Sequence, residues 1–401
     1  MRHISDLPDE VLGLILQMIL SGYGPWYPET HEKKSAKPIG ELRLVCRRWS
    51  DLITDRHLYR TLKIVGGHRA MQFINRQKAS LRLPFSNVRP KCQVLRLDGL
   101  WACGPPPVEI DSVVTPSLLD GLIELFHDTI VDLELYFMNS FALPTSTVRA
   151  IGRISNLRIL RLRYDDVDSF GEPSTGNRGI SLDHNTDLFC SLLSGAQGLE
   201  CLDIDMFNSL YLEDISRHAL ARIQLPNITH LVAGPTTSVQ VAFTLAIALK
   251  PSLTMLEYDV YNGEDFRRVS EILEDTLQGL GIAHLGMLEP VSHLKFSSLR
   301  LLKIISRKGS DSDVLHMEKL SYASIEILAL SACMSGCEGV FKAPCLPFKR
   351  LPALRRLVFY TFDSGFSVPE DYVRLCQDHQ VECLYSYASS LPELMKQYVQ
   401  P

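Results

Sequence analysis

One short pattern returns along this chain: an apolar residue, two intervening residues, a leucine, one further residue and a second apolar residue. It reads Cys92/Leu95/Leu97, Ile130/Leu133/Leu135, Leu157/Leu160/Leu162, Leu199/Leu202/Ile204 and Ile228/Leu231/Ala233. It goes on as Leu253/Leu256/Tyr258, Leu299/Leu302/Ile304, Ile325/Leu328/Leu330, Leu354/Leu357/Phe359 and Val381/Leu384/Ser386, with Tyr59/Leu62/Ile64 as an earlier copy. Ten starts between residues 92 and 381 give about 32 residues per unit, with spacings from 25 to 46. The chain accordingly holds 61 leucines among 401 residues. A unit this small cannot bury its own apolar edge, so a pattern of this kind demands neighbours that stack and share one core.

The gaps between the predicted strands carry helical spacing. Thr115-Pro116 opens a run with Leu118, Leu119, Leu122, Ile123 and Phe126 on one face, proline being tolerated in a first turn. Further helices are expected from Asp187 to Gly195 or Gly198, over Gln240–Lys250, Asp265–Gln278 and Pro369–Gln377. A strand alternating with a helix at this period resembles the leucine-rich repeat. That resemblance implies an α/β solenoid, a horseshoe with a parallel sheet on its concave face. A doubly wound α/β domain would need longer apolar strands and a glycine-rich phosphate turn, and neither is found. Pro105–Pro107 and Asp165–Arg178 read as loops leaving the rim.

The first 64 residues have a different rhythm. Asp6 precedes Leu7-Pro8-Asp9-Glu10, and Val11, Leu12, Ile15, Leu16 and Ile19 follow at helical spacing. Ser21–Gly40 is rich in glycine and proline and reads as a loop. A second helix is expected over Glu41–Thr54, with Leu42, Val45, Cys46, Trp49, Leu52 and Ile53 on one stripe. An apolar face on so short a head either caps the next domain or docks a second protein. The runs Leu7-Pro8-Asp9-Glu10-Val11-Leu12, Leu44-Val45-Cys46-Arg47-Arg48-Trp49-Ser50-Asp51-Leu52 and Asp55-Arg56-His57-Leu58-Tyr59 resemble an F-box, with Tyr59 in place of the usual tryptophan and the Ser21–Gly40 loop inserted in the middle. The resemblance implies docking onto the Skp-type adaptor of a cullin–RING (SCF) ubiquitin ligase. It places Leu7, Pro8, Val11, Ile15, Val45, Cys46 and Trp49 in the head's fold and adaptor contact. The ragged repeats resemble the irregular solenoids that follow F-boxes in many fungal proteins. The expected organisation is a head at 1–64 with an insertion at 21–40, a leucine-rich-repeat solenoid at 65–388 and a C-terminal cap or tail at 389–401. The implied role is the substrate-recognition subunit of that ligase. The alternative is a repeat-based scaffold whose head engages no ligase.

Composition and motifs narrow the chemistry. A net charge of −5 and a pI near 6.2 disfavour broad recognition of nucleic-acid phosphates. The longest largely apolar stretch, Val241–Leu249, is far shorter than the roughly 20 residues of a membrane helix. The opening Met1-Arg2-His3-Ile4-Ser5-Asp6 turns acidic before any apolar run, so a cytoplasmic or nuclear location is expected, without membrane or nucleic-acid partners. Cys92, Cys190, Cys201 and Cys383 sit in apolar patterns and read as reduced, packed thiols. Cys333, Cys337 and Cys345 lack a neighbouring histidine and have poor zinc spacing, and Asp165, Asp166 and Asp168 read as a solvated loop. Asn227-Ile228-Thr229, a formal glycosylation sequon, opens a predicted strand. With no phosphate loop, nucleophile elbow or zinc helix, the chain is expected to act without cofactors and without catalysis of its own.

The positions between the repeated leucines would face the concave side. They run from charged (Arg96, Asp98, Asp132, Glu134, Tyr136, Arg161, Arg163, Asp203, Asp205, Glu257, Asp259) to apolar and aromatic (Leu301, Lys303, Ile305, Ile327, Val358, Tyr360, Tyr385, Tyr387). Arg161, Arg163, Asp203, Asp205, Glu257, Tyr360 and Tyr385 are the candidate contacts to a protein substrate. The alternative is that Ser389–Pro401, with a helix around Leu394-Met395, folds back over the apolar end.

Overall fold

The computed structural model describes residues 7–8, 11–12, 15, 44–53, 58–81, 91–104, 113–164, 182–205, 207, 215, 217–259, 263–305, 323–331, 348, 351–360, 367–368, 370–386 and 388–399. The expected loops at 21–40, 105–107 and 165–178, the 333/337/345 cysteines and Tyr387 lie outside them. The chain divides into two units, Met1–Arg158 and Ile159–Pro401.

In the first unit, helix α1 (Arg47–Ile53) leads to strand β1 (Thr61–Val65), followed by α2 (Gly67–Leu81), β2 (Val94–Leu100), α3 (Pro116–Phe126), β3 (Asp132–Phe137) and α4 (Thr145–Gly152). The helix expected from Glu41 starts at Arg47, because Leu44 and Val45 lie in a turn. The strands are parallel, with Leu62 opposite Leu95 and Leu95 opposite Leu133. Helix α3 begins with Pro116 and buries Leu119, Leu122, Ile123 and Phe126 of the face its spacing predicts, together with Leu125, while Leu118 is only half-buried.

The second unit continues the parallel pattern with nine strands among its described residues. Its strands are β4 (Ile159–Tyr164), β5 (Cys201–Ile204), β6 (His230–Ala233), β7 (Met255–Tyr258), β8 (Gly279–Ile282), β9 (Leu301–Ile304), β10 (Ile327–Ser331), β11 (Arg356–Tyr360) and β12 (Glu382–Ser386). Between them lie α5 (Leu182–Gly195), α6 (Arg217–Ala221), α7 (Val239–Leu249), α8 (Gly263–Leu273) and α9 (Glu370–Asp378), and α10 (Leu391–Tyr398) closes the chain. Neighbouring strands pair in parallel, in chain order. The repeated leucines form one continuous row: Leu160, Leu202, Leu231, Leu256, Leu280, Leu302, Leu328 and Leu357 stand opposite one another from strand to strand. All are buried. Because side chains alternate along a strand, the residue two positions later shares their face, where the helices pack. Tyr258 stacks on Phe266 of α8 and Phe359 meets Tyr372 of α9 edge-on.

Three further expectations are corrected. The Asp265–Gln278 helix ends at Leu273, and β8 follows, a strand missed in the sequence. Leu277, Leu280 and Ile282 do carry the template there, but two glycines and the preceding helical pattern mask it. In the last unit Leu357 stands opposite Cys383 rather than Leu384, and Leu384 is opposite Val358. A slip of one residue moves every side chain of a strand to the other face. Tyr385 therefore shares the register of Phe359, on the helix-bearing face. Helix α5 also begins five residues before the expected Asp187.

Candidate functional site

The head separates its apolar residues into two groups. Leu12, Trp49, Leu52 and Ile53 form a buried cluster, with Leu7, Cys46 and Leu58 packed against it. Trp49 is only 5% exposed, and Arg48 Nη2 donates to Leu7 O at 2.7 Å, tying the first segment to α1. Leu12 N–H donates to Pro8 O at 3.0 Å, a helical turn behind the proline. The other group faces outward: Leu44 is 84% exposed, Val45 56% and Val11 39%, with Pro8 exposed and Ile15 half-buried. Of the seven residues singled out in the sequence, Leu7, Cys46 and Trp49 thus build the head, whereas Pro8, Val11, Ile15 and Val45 reach its surface. Leu44 joins the surface group. Its exposure follows from the turn that precedes α1, which a stripe drawn on a longer helix hides.

In the second unit, the sheet face opposite the helices starts with a charged patch. Arg163 grips Asp203 with two hydrogen bonds of 2.6 Å, one to each carboxylate oxygen, and Arg161 adds a third at 3.1 Å. The Asp203 carboxylate also accepts from Asp205 N–H at 3.1 Å, so it is saturated from within the chain. Asp205 is partly open to solvent. Burial raises its pKa to about 6, Arg163 works against that rise, and Asp203, Asp259 and Glu257 add to it. The approach of Gly234 is close enough that an added Cβ would lie 1.9 Å from Asp205 Oδ1 and 2.1 Å from its backbone oxygen, so this position excludes a side chain.

Farther along the same face the charges go inward. Glu257 Oε2 accepts from Lys303 Nζ at 2.5 Å, and Glu257 Oε1 lies 3.3 Å from His230 Nε2. His230 Nδ1 in turn lies 3.3 Å from Cys201 Sγ. Burial alone would raise the Glu257 carboxyl, but Lys303 and His230 hold it well below the usual carboxylate range. Burial disfavours charge on His230, yet contact with Cys201 and Glu257 lifts its pKa to about 10. Lys303 Nζ also sits 5.2 Å from the centre of the Tyr360 ring, and Tyr360 Oη donates to Ile304 O at 2.9 Å. Burial pushes the Tyr360 phenol well above its ordinary value.

The apolar end of this face is covered. Leu391, Leu394 and Tyr398 of α10 pack on Leu301, Ile327, Ala329, Val358 and Tyr360, with Met255, Leu384, Ala388, Met395 and Val399 around them. Leu391 N–H donates to Glu257 Oε1 at 3.2 Å, and Arg356 Nη1 donates to Tyr398 O at the other end of the helix. The C-terminal segment therefore takes the fold-back position, and Glu257 and Tyr360 are buried beneath it, Tyr360 to 3% exposure. Asp203 is buried too, whereas Arg161, Asp205 and Tyr385 keep contact with solvent. The Tyr385 hydroxyl accepts from Val368 N–H at 2.7 Å.

Among the described residues, no group of three or more histidine, cysteine and acidic side chains is arranged to hold a metal ion. No helix among them is long and apolar enough to cross a membrane. The seven described cysteines are free thiols. Comparison with known proteins bears on the head: a family model described as F-box-like matches residues 4–64. No curated protein matches the chain. The first 64 residues therefore contain an F-box-like domain, and the remainder is an α/β array of strand–helix units.

Proposed function

We propose that this chain is the substrate-recognition subunit of an SCF-type ubiquitin ligase, docking a Skp-type adaptor with its head and holding a target protein with its repeats. F-box domains generally bind such adaptors within cullin–RING ligases, and residues 4–64 match that family. The observation that carries the reading is the exposed apolar set Leu44, Val45 and Val11 inside the matched segment. Large apolar side chains left exposed within one small domain favour a protein partner. In this reading the strand–helix units are irregular leucine-rich repeats of the fungal type. Arg161 and Asp205 are the solvent-accessible members of the candidate target-binding set on the face opposite the helices, and Tyr385, on the helix-bearing face, drops out of it.

The chain would act by proximity and supply no catalytic group or cofactor. Holding a target and the ligase at once raises the local concentration of target lysines at the ubiquitin-loaded enzyme. Its working place in this reading is the cytoplasm or nucleus, where that machinery operates. The 20-residue segment Ser21–Gly40 inside the matched region favours a second reading, a repeat scaffold whose head engages no ligase. Size-exclusion chromatography of the full chain mixed with adaptor, cullin and RING subunits decides between them. Co-elution as one complex is expected, and elution of the chain by itself would favour the scaffold.

A further inference from the structure

We propose that α10 is an internal ligand occupying the target-binding face, and that this face accepts a short helix of a protein target carrying leucines at positions 1 and 4 and an aromatic residue at position 8. The inference rests on the reading of the repeats as the target-binding element. The pattern is that of α10 itself, whose buried side chains are Leu391, Leu394 and Tyr398.

The seat is built into the sheet independently of the helix. Strand β8 has glycine at both positions that face α10, Gly279 and Gly281. A Cβ on Gly279 would lie 3.7 Å from Leu391 Cδ1, in ordinary contact, and a tighter 3.2 Å from Met255 Cγ, so Leu391 packs against a stretch of strand that presents backbone and no side chain of its own. Beside it, Glu257 is fixed by Lys303 from β9 and His230 from β6, neither of which belongs to α10. The carboxylate is thus preorganised with one oxygen aimed at the incoming backbone.

The helix uses that oxygen as its cap. Ser390 occupies the N-cap position without making a side-chain cap hydrogen bond, and Pro392 has no N–H to offer. The Leu391 N–H, one of the unsatisfied donors of a first turn, is answered by Glu257 Oε1 at 3.2 Å. A carboxylate at a helix N-terminus is also favoured by the helix dipole. Any helix with a free first-turn N–H and the same apolar spacing meets the same partners. Helix α10 is a short helix of eight residues outside the strand order, so its exchange with an external helix breaks no strand pairing.

Hydrogen exchange on the full-length chain and binding of a labelled peptide carrying residues 388–399 test this together. Amides of Leu394–Val399 are expected to exchange at least 100-fold faster than those of β9–β11, and equal protection would overturn the proposal. The peptide is expected to bind the full-length Leu391→Asp/Leu394→Asp variant at least 10-fold more tightly than the wild-type chain. Absence of binding to a variant that still melts cooperatively would likewise overturn it, and if that variant fails to fold, the exchange result on the wild-type chain decides. Neither readout involves the adaptor, so failure here leaves the ligase reading standing, and failure of adaptor binding leaves this inference standing.

Discussion

Lys303 reaches Glu257 across an intervening strand, closing a 2.5 Å ion pair over Gly281. The strand between them carries no side chain at that point, and a Cβ there would lie 3.0 Å from Glu257 Cγ and 3.4 Å from its Cα. Both charged groups are buried, so the pair stands only because its geometry is tight and further donors complete the carboxylate. Buried ion pairs of this kind add little to stability over apolar packing but are costly to break.

Lys303→Met is expected to destabilise the second unit by about 3–5 kcal/mol, since Glu257 is left buried with less compensation. Chemical denaturation of the variant against the wild-type chain measures it. A loss below about 1 kcal/mol would show that Glu257 finds water or another donor once the lysine is gone.

Gly281→Ala perturbs the same pair without removing a charge. Its Cβ must push Glu257 aside, and overpacking of this kind costs about 1–3 kcal/mol. Thermal melting of the variant at neutral pH is the check, and an unchanged melting temperature would place Glu257 elsewhere.

Leu302→Asp introduces a carboxylate into the middle of the leucine row, where the wild-type side chain has no exposure. A loss of more than about 4 kcal/mol is expected, enough to unfold the unit, because the charge has no partner in a shared core. Leu160→Asp should act in the same way. Cooperative melting at the wild-type temperature would mean that these leucines do not face inward.

Asp205 sets a pH dependence. Its folded pKa of about 6 lies above the ordinary 3.8, so the folded state holds this proton more tightly than the unfolded chain. Stability from this group is therefore full below about pH 4, falls as pH rises towards 6 and is lost above that. Asp205→Asn removes the effect and should stabilise the chain at pH 7.5 by about 1–2 kcal/mol relative to pH 4. Melting curves of both proteins between pH 4 and 7.5 test it, and parallel curves would contradict it.

The leucine row was legible in the sequence because a fixed offset repeats whatever the loops between do. Strand β8 was hidden for a local reason: Gly279 and Gly281 weaken its strand character, and an amphipathic helix runs up to it. The slip at Leu384 was hidden because spacing alone does not report register. Its side chain turns towards α10, and that neighbour lies later in the chain. The burial of Glu257 has the same origin, since its contact with Leu391 spans 134 residues. In the head, Val45 and Trp49 fall on one helical stripe by spacing. The start of α1 at Arg47 puts one in a turn and the other in the core.

Calorimetric titration of a purified Skp-type adaptor into the full chain tests the central claim most directly. A one-to-one complex is expected for the wild-type chain. Val45→Asp is expected to bind at least about 10-fold more weakly, roughly 1.4 kcal/mol, with its melting temperature unchanged because Val45 is exposed. No heat of binding with the wild-type chain, or equal affinity for Val45→Asp, would contradict the account.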